Sequence, residues 1–85
     1  FAGCGGYCGA VNLRPPASNG CVPLNSGEFS LVGSDLGHTA SLDDGVWGSE
    51  NPQGIRDFGH RGVHVVTAAA RAIMTAYYGV PPKFA

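Results

Sequence analysis

Residues Asn51–Gly79 read NPQGIRDFGHRGVHVVTAAARAIMTAYYG, and the rest of the chain is organised around them. Apolar residues fall at Ile55, Phe58, Val63, Val66, Ala70, Ile73, Met74 and Tyr77, at steps that average close to a helical turn. Asn51 is a good N-cap, and Pro52 follows at the first helical position, where its missing N–H costs nothing. Gly79 supplies a left-handed stop and Pro81–Pro82 forbid continuation. The spacing predicts one continuous helix over 51–78. Its inward face should carry Ile55, Phe58, Val66, Ala70, Ile73 and Tyr77, turned towards a sheet. Gly54, Gly59 and Gly62 each cost about 1 kcal/mol relative to alanine inside a helix. Close backbone packing against a neighbour is the expected return.

Upstream of the helix, Glu28–Ser34 reads EFSLVGS after the turn Asn25-Ser26-Gly27, and is expected to be a buried strand. A strand, a loop and a long helix form the front of a β-α-β unit, with Lys83–Ala85 starting the next strand. Val11–Ser26 is punctuated as a long loop by Pro15–Pro16, Asn19–Gly20 and Pro23. The first ten residues, FAGCGGYCGA, hold too many glycines for a helix or a strand. They read as a loop whose backbone approaches something closely, either an ordinary turn or a cradle of N–H groups for an oxyanion. No Gly-Lys-Ser/Thr follows, so this is not a P-loop.

Eighty-five residues make one domain at most, small for an enzyme. One long helix and few strands would leave much apolar surface uncovered. The chain starts at Phe1 and stops as an apolar run begins at Phe84. Both ends read as cut, so residues 1–85 are expected to be part of a larger domain. The net charge of −1 argues against a nucleic-acid partner. Charge is uneven: residues 1–51 set Arg14 against Glu28, Asp35, Asp43, Asp44 and Glu50, a net of −4. Residues 52–85 set Arg56, Arg61, Arg71 and Lys83 against Asp57, a net of +3, which suggests contact between the halves. No apolar run reaches the length of about 18 residues that a membrane span needs.

Cys4, Cys8 and Cys21 lack the second Cys/His pair of a zinc finger, and disulfides in an oxidising compartment fit them better. The odd count leaves one thiol free or one partner outside the chain. A local Cys8–Cys21 bridge, with Cys4 pairing elsewhere, is the expected arrangement. Asp35 and His38 lie just past the expected strand, where ligands gather in open α/β sheets. The plainer reading is that Asp35 bonds nearby backbone N–H groups and His38 packs. His60 and His64 share a helix face, but Arg61 between them would repel a cation and no general base accompanies them. Asp43–Asp44 lacks the ligand pattern of an EF-hand and reads as a solvated turn. No metal site is therefore assigned. No Gly-x-Ser-x-Gly elbow occurs, and Cys4 or Cys8 as a thiol nucleophile beside His38 is less natural than a disulfide.

Taken in order, GCGGYCG (Gly3–Gly9), SLVGSDLGH (Ser30–His38) and the helix NPQGIRDFGHRGVHVVTAAARAIMTAYYG resemble the tannase and feruloyl esterase family of secreted serine esterases. The resemblance covers all but the Leu13–Gly27 loop. It implies an α/β fold, namely a fragment of an α/β-hydrolase core ending just before the Gly-Cys-Ser-x-Gly-Gly-type elbow. The Ser, Asp and His of the triad, and an inserted lid that often holds calcium, would then lie downstream. No cofactor is expected in residues 1–85. Gly5 and Gly6 match the loop that gives α/β-hydrolases half of their oxyanion hole. The implied substrates are small phenolic esters, feruloyl or galloyl, or such esters linked to plant polysaccharide. The enzyme would be extracellular, and the isolated fragment inactive. The competing reading is a small disulfide-braced extracellular binding module without catalysis.

Overall fold

The computed structural model describes residues 1–15, 20–24 and 26–84. One helical rod dominates it. Helix α1 (Pro52–Arg56) runs into a π turn (Asp57–Arg61) and on into helix α2 (Gly62–Tyr78). A short 3-10 turn, Val46–Gly48, precedes it.

The ends of the rod follow the local chemistry read from the sequence. The Asn51 side-chain oxygen accepts from the Gly54 N–H at 3.0 Å, and its amide donates to the Trp47 carbonyl at 3.2 Å. Pro52 occupies the first turn. At the far end Gly79 is left-handed (φ 75°), and its N–H closes the last turn on the Thr75 carbonyl at 2.9 Å. The π turn was not visible in the pattern. It closes with the Gly62 N–H on the Asp57 carbonyl, a loop one residue wider than an α-turn. A Cβ on Gly62 would lie 2.8 Å from the Asp57 carbonyl oxygen and 3.3 Å from Leu36 Cδ2. Close approach therefore explains Gly62, although its neighbour is the Leu36 loop and not a sheet. The atoms nearest a Cβ on Gly54 belong to its own cap, Asn51, and Gly59 faces open space.

Phe58, Val66 and Ala70 turn inwards as expected, joined by Gly62, Thr67 and Met74. Ile55, Ile73 and Tyr77 do not: they are 55%, 69% and 80% exposed. Arg56, Arg61 and Arg71 all face solvent, so the overall orientation of the helix stands. The discrepancy has a simple cause, since no sheet forms among the described residues to cover that side. The expected strand at Glu28–Ser34 is absent for the same reason. Its one ladder contact is a parallel bridge between Ala2 and Gly33, with the Ala2 N–H on the Val32 carbonyl at 2.7 Å. A single bridge satisfies too few backbone groups to define a strand. Residues 83–84 are likewise not extended into a ladder. The expected α/β arrangement is thus reduced here to a helix and loops.

The buried residues among those described are few: Ala2, Cys8, Gly9, Leu36, His38, Gly54 and Ala70. None of the described side chains is fully enclosed. The chain is a slab of 42 × 29 × 15 Å with a radius of gyration of 14.4 Å. A compact domain of this length would have a radius near 12 Å, by the usual scaling. A thickness of 15 Å accommodates one layer of secondary structure, whereas a stable core needs two. On one side lies an open, mainly apolar groove of about 690 Å³, lined by residues that include Phe1, Phe29, Val32, Ala70, Met74 and Tyr78.

Candidate functional site

The glycine-rich loop folds back on itself at Gly5–Cys8. Gly6 is left-handed (φ 58°), and the Cys8 N–H reaches the Gly5 carbonyl at 3.4 Å. This reversal brings the Cα atoms of Cys4 and Cys8 to 6.0 Å, and the two sulfurs form a disulfide. The expected Cys8–Cys21 bridge is therefore overturned, and so is an external partner for Cys4. The turn at Gly6 makes the nearer pair the geometrically accessible one. Cys21 is an exposed free thiol. With both loop cysteines oxidised, neither can serve as a thiol nucleophile.

A second segment, 38–42, runs alongside the loop and clamps it. The Tyr7 N–H donates to the Leu42 carbonyl at 2.9 Å, and the Gly9 N–H to the Ala40 carbonyl at 3.1 Å. Approach is so close that a Cβ on Gly6 would lie 2.5 Å from the Leu42 carbonyl oxygen. One on Gly9 would strike the His38 carbonyl and lie 2.7 Å from its ring carbon Cδ2. The Gly5 and Gly6 N–H groups, by contrast, donate to no carbonyl among the described residues, and both glycines are exposed.

His38 stands behind this loop. Its Nε2 lies 2.9 Å from the Tyr7 carbonyl oxygen. A carbonyl can only accept, so Nε2 carries the proton. The ring is buried, stacks on Trp47 at 3.8 Å, and meets the edge of Phe58 at 5.4 Å. Trp47 and Phe58 are 5.1 Å apart, and Tyr7 lies 6.3 Å from Phe58. His38 Nδ1 and Trp47 Nε1 are buried without a hydrogen-bond partner. The sequence singled out His38 but gave Trp47 no part. Nothing in their spacing announces the stack, which depends on the 3-10 turn at Val46–Gly48 swinging Trp47 back.

Asp35 takes the plainer role. Its Oδ1 accepts the Gly37 N–H at 2.9 Å, while Ser34 Oγ accepts the Leu36 N–H at 3.0 Å, shaping the bend that delivers His38. Asp44 likewise accepts the Val46 N–H at 2.9 Å and starts the 3-10 turn. His60 and His64 are exposed on the helix, and no third ligand joins them. Among the described residues no three His, Cys, Asp or Glu side chains gather to hold a metal. The expected contact between acidic loops and basic helix does not form among them. The ion pair present is Arg61–Asp57, one turn apart at 2.8 Å. The Arg61 hydrogen bond, with help from Gln53, holds the Asp57 carboxyl below its ordinary range.

A family model described as tannase and feruloyl esterase matches residues 1–85. The chain belongs to the tannase and feruloyl esterase family. This is a family of carboxylic ester hydrolases, and the membership agrees with the resemblance carried by the glycine loop, the Ser30–His38 segment and the helix. Comparison with curated proteins and with solved structures gave no match. No helix among the described residues is long and apolar enough to cross a membrane.

Proposed function

We propose that residues 1–85 are one layer of an α/β-hydrolase catalytic domain, and that the domain's serine triad lies downstream. The substrate would be a phenolic ester, feruloyl or galloyl, free or attached to plant polysaccharide, and the enzyme secreted. The contribution of this chain is the pair of backbone N–H groups at Gly5 and Gly6, as half of the oxyanion hole. The observation that carries the reading is the state of these two groups. They are exposed and unpaired among the described residues, on a loop clamped by a disulfide and by the 38–42 segment. Prepositioned donors of this kind act where charge develops in the transition state and need no reorganisation at that moment.

In the reaction the serine oxygen attacks the ester carbonyl carbon and its proton passes to the triad histidine. The carbonyl π electrons move onto oxygen, which the Gly5 and Gly6 N–H groups receive. Collapse breaks the C–O bond to the alcohol, which leaves with that proton. Water then repeats the sequence on the acyl-enzyme and releases the acid. The single-layer thickness of 15 Å and the open apolar groove support a further layer in the intact domain, and weigh against a self-sufficient binding module. The resemblance places any calcium in the proposed lid, and no step here runs through it.

The test is Gly6→Val in the full-length enzyme, with methyl ferulate and methyl gallate as substrates. A Cβ at Gly6 meets the Leu42 carbonyl oxygen at 2.5 Å and displaces the positioned donor, which should lower kcat on the order of 10²–10³-fold. His64→Ala, on the exposed helix face, should retain turnover. Normal kcat in the Gly6 variant, with turnover lost in folded His64→Ala, would replace this reading with a histidine-centred mechanism.

A further inference from the structure

We infer that His38 is a positioning residue for the ester-hydrolase reaction, fixing the glycine loop from behind through the Tyr7 carbonyl. The inference rests on the oxyanion reading of Gly5 and Gly6. It goes beyond that reading by naming the side chain that holds those donors in place. Three observations converge. His38 Nε2 donates to the Tyr7 carbonyl at 2.9 Å, one residue beyond Gly6. Among the described residues the other ties of residues 5–9 to the rest of the chain are backbone bonds from Tyr7 to Leu42 and from Gly9 to Ala40, the Tyr7–Phe58 ring contact and the Cys4–Cys8 bridge. His38 itself is not free to move: Trp47 stacks on one face at 3.8 Å, Phe58 meets it edge-on, and Gly9 is packed against its backbone.

The geometry has a direct consequence for the peptide planes. The Tyr7 carbonyl and the Cys8 N–H belong to one rigid plane, and the Tyr7 N–H is tied to Leu42 on the other side of the same residue. Bonding both the N–H and the carbonyl of Tyr7 fixes that residue's backbone at two points. The left-handed Gly6 just before it is restricted by that anchoring, and the direction of its N–H with it. Without the His38 bond, the Tyr7–Cys8 plane keeps only the long Cys8 N–H bond to the Gly5 carbonyl among the described residues, at 3.4 Å, and the turn at Gly6 is held less firmly. A misplacement near 1 Å at such a donor can cost about 10²-fold in rate.

The choice of histidine follows. The site needs a buried ring flat enough to stack on Trp47, with an N–H at its far corner. Phenylalanine supplies the stack without the donor. Glutamine supplies a donor at the same reach, because its amide nitrogen is four bonds from Cα, as Nε2 is. Asparagine is one bond too short.

The experiment compares His38→Phe, His38→Gln, His38→Asn and Gly6→Val in the full-length enzyme on methyl ferulate, with phenylboronic acid as a tetrahedral mimic. His38→Phe should lower kcat about 10- to 100-fold with KM within about threefold of wild type. Boronate affinity should fall by the same factor as kcat, because both report the oxyanion position. His38→Gln should recover most of the loss and His38→Asn should not. A purely structural role would instead lower the folded fraction of all three variants and leave kcat per titrated active site unchanged, and that result overturns the proposal. So does wild-type kcat in folded His38→Phe. If His38→Phe is neutral while Gly6→Val is impaired, the positioning role fails and the oxyanion reading stands. If Gly6→Val turns over normally, the oxyanion reading fails and this proposal falls with it.

Discussion

Replacing Gly9 with alanine adds one methyl group at the tightest point of the molecule. Gly9 is buried, and its new Cβ would penetrate the His38 carbonyl, 2.6 Å from the carbonyl carbon and 2.7 Å from ring carbon Cδ2. Two of the three contacts are backbone, so no side-chain rotation relieves them. The loop and the 38–42 segment must separate. Overpacking of this kind costs about 1–3 kcal/mol. Separation also stretches the Gly9–Ala40 and His38–Tyr7 hydrogen bonds, each contributing about 1 kcal/mol. The total is about 3 kcal/mol or more. Gly59→Ala is the matched control, because a Cβ there meets nothing within 4 Å and the residue lies inside the helical rod. Helix propensity alone predicts a gain of up to about 1 kcal/mol. The two variants should therefore move the thermal midpoint of the intact enzyme in opposite directions. A Gly9→Ala midpoint within about one degree of wild type, or a Gly59→Ala midpoint falling as far as that of Gly9→Ala, would refute the clamp.

The other expectations are briefer. Ala70→Asp places a carboxylate in the buried stripe of α2 and should cost more than about 2 kcal/mol, read as a lowered melting midpoint. Ile73→Asp should be nearly as costly in the intact enzyme, where the proposed sheet covers that face; a neutral result there would deny the covering layer. Iodoacetamide should label Cys21 in the native protein, while Cys4 and Cys8 stay unlabelled until reduction, and non-reducing peptide mapping should recover a Cys4–Cys8 link. Closing so short a loop contributes about 2 kcal/mol in the chain-entropy account. Because Arg61 lowers the Asp57 carboxyl in the folded state, the stability from this pair is fully present above the ordinary carboxylate value of about 4. It is lost as pH falls through the lowered folded value. The stability gap between wild type and Asp57→Asn should accordingly be flat above that pH and close below it, as followed by acid denaturation.

What the sequence disclosed divides along a physical line. The two ends of the helix were legible because Asn51, Pro52 and Gly79 act on backbone groups within four residues of themselves. Asp35 was legible for the same reason, since its partner is two residues away. The π turn was not, because no local pattern marks it, and the neighbour beside its Gly62 end is Leu36, 26 positions away. The strand at Glu28–Ser34 was over-read: apolar residues after a turn describe a segment able to pair, and pairing needs neighbours that these residues do not provide. The disulfide pairing is not legible in the sequence, where nothing reveals that Gly6 turns left-handed and brings Cys4 back to Cys8. At the site, the glycines announced close approach, but the approaching partner had to be seen. His38 stood out as a residue type, while its tie to Tyr7 spans 31 positions and Trp47 gave no local sign of the stack.

The π turn gives the rod two separate allegiances. Ahead of it and within it, Asn51 grips Trp47 and Phe58 closes the aromatic cluster behind the glycine loop. Beyond it, Ala70, Met74 and Tyr78 face the apolar groove. An uninterrupted α-helix would set a different angle between these two faces. The extra residue between Asp57 and Gly62 resets that angle by roughly a quarter-turn, the 100° that each helical residue spans. The aromatic cluster and the groove thus lie on faces of the rod that an unbroken α-helix of the same sequence would not pair.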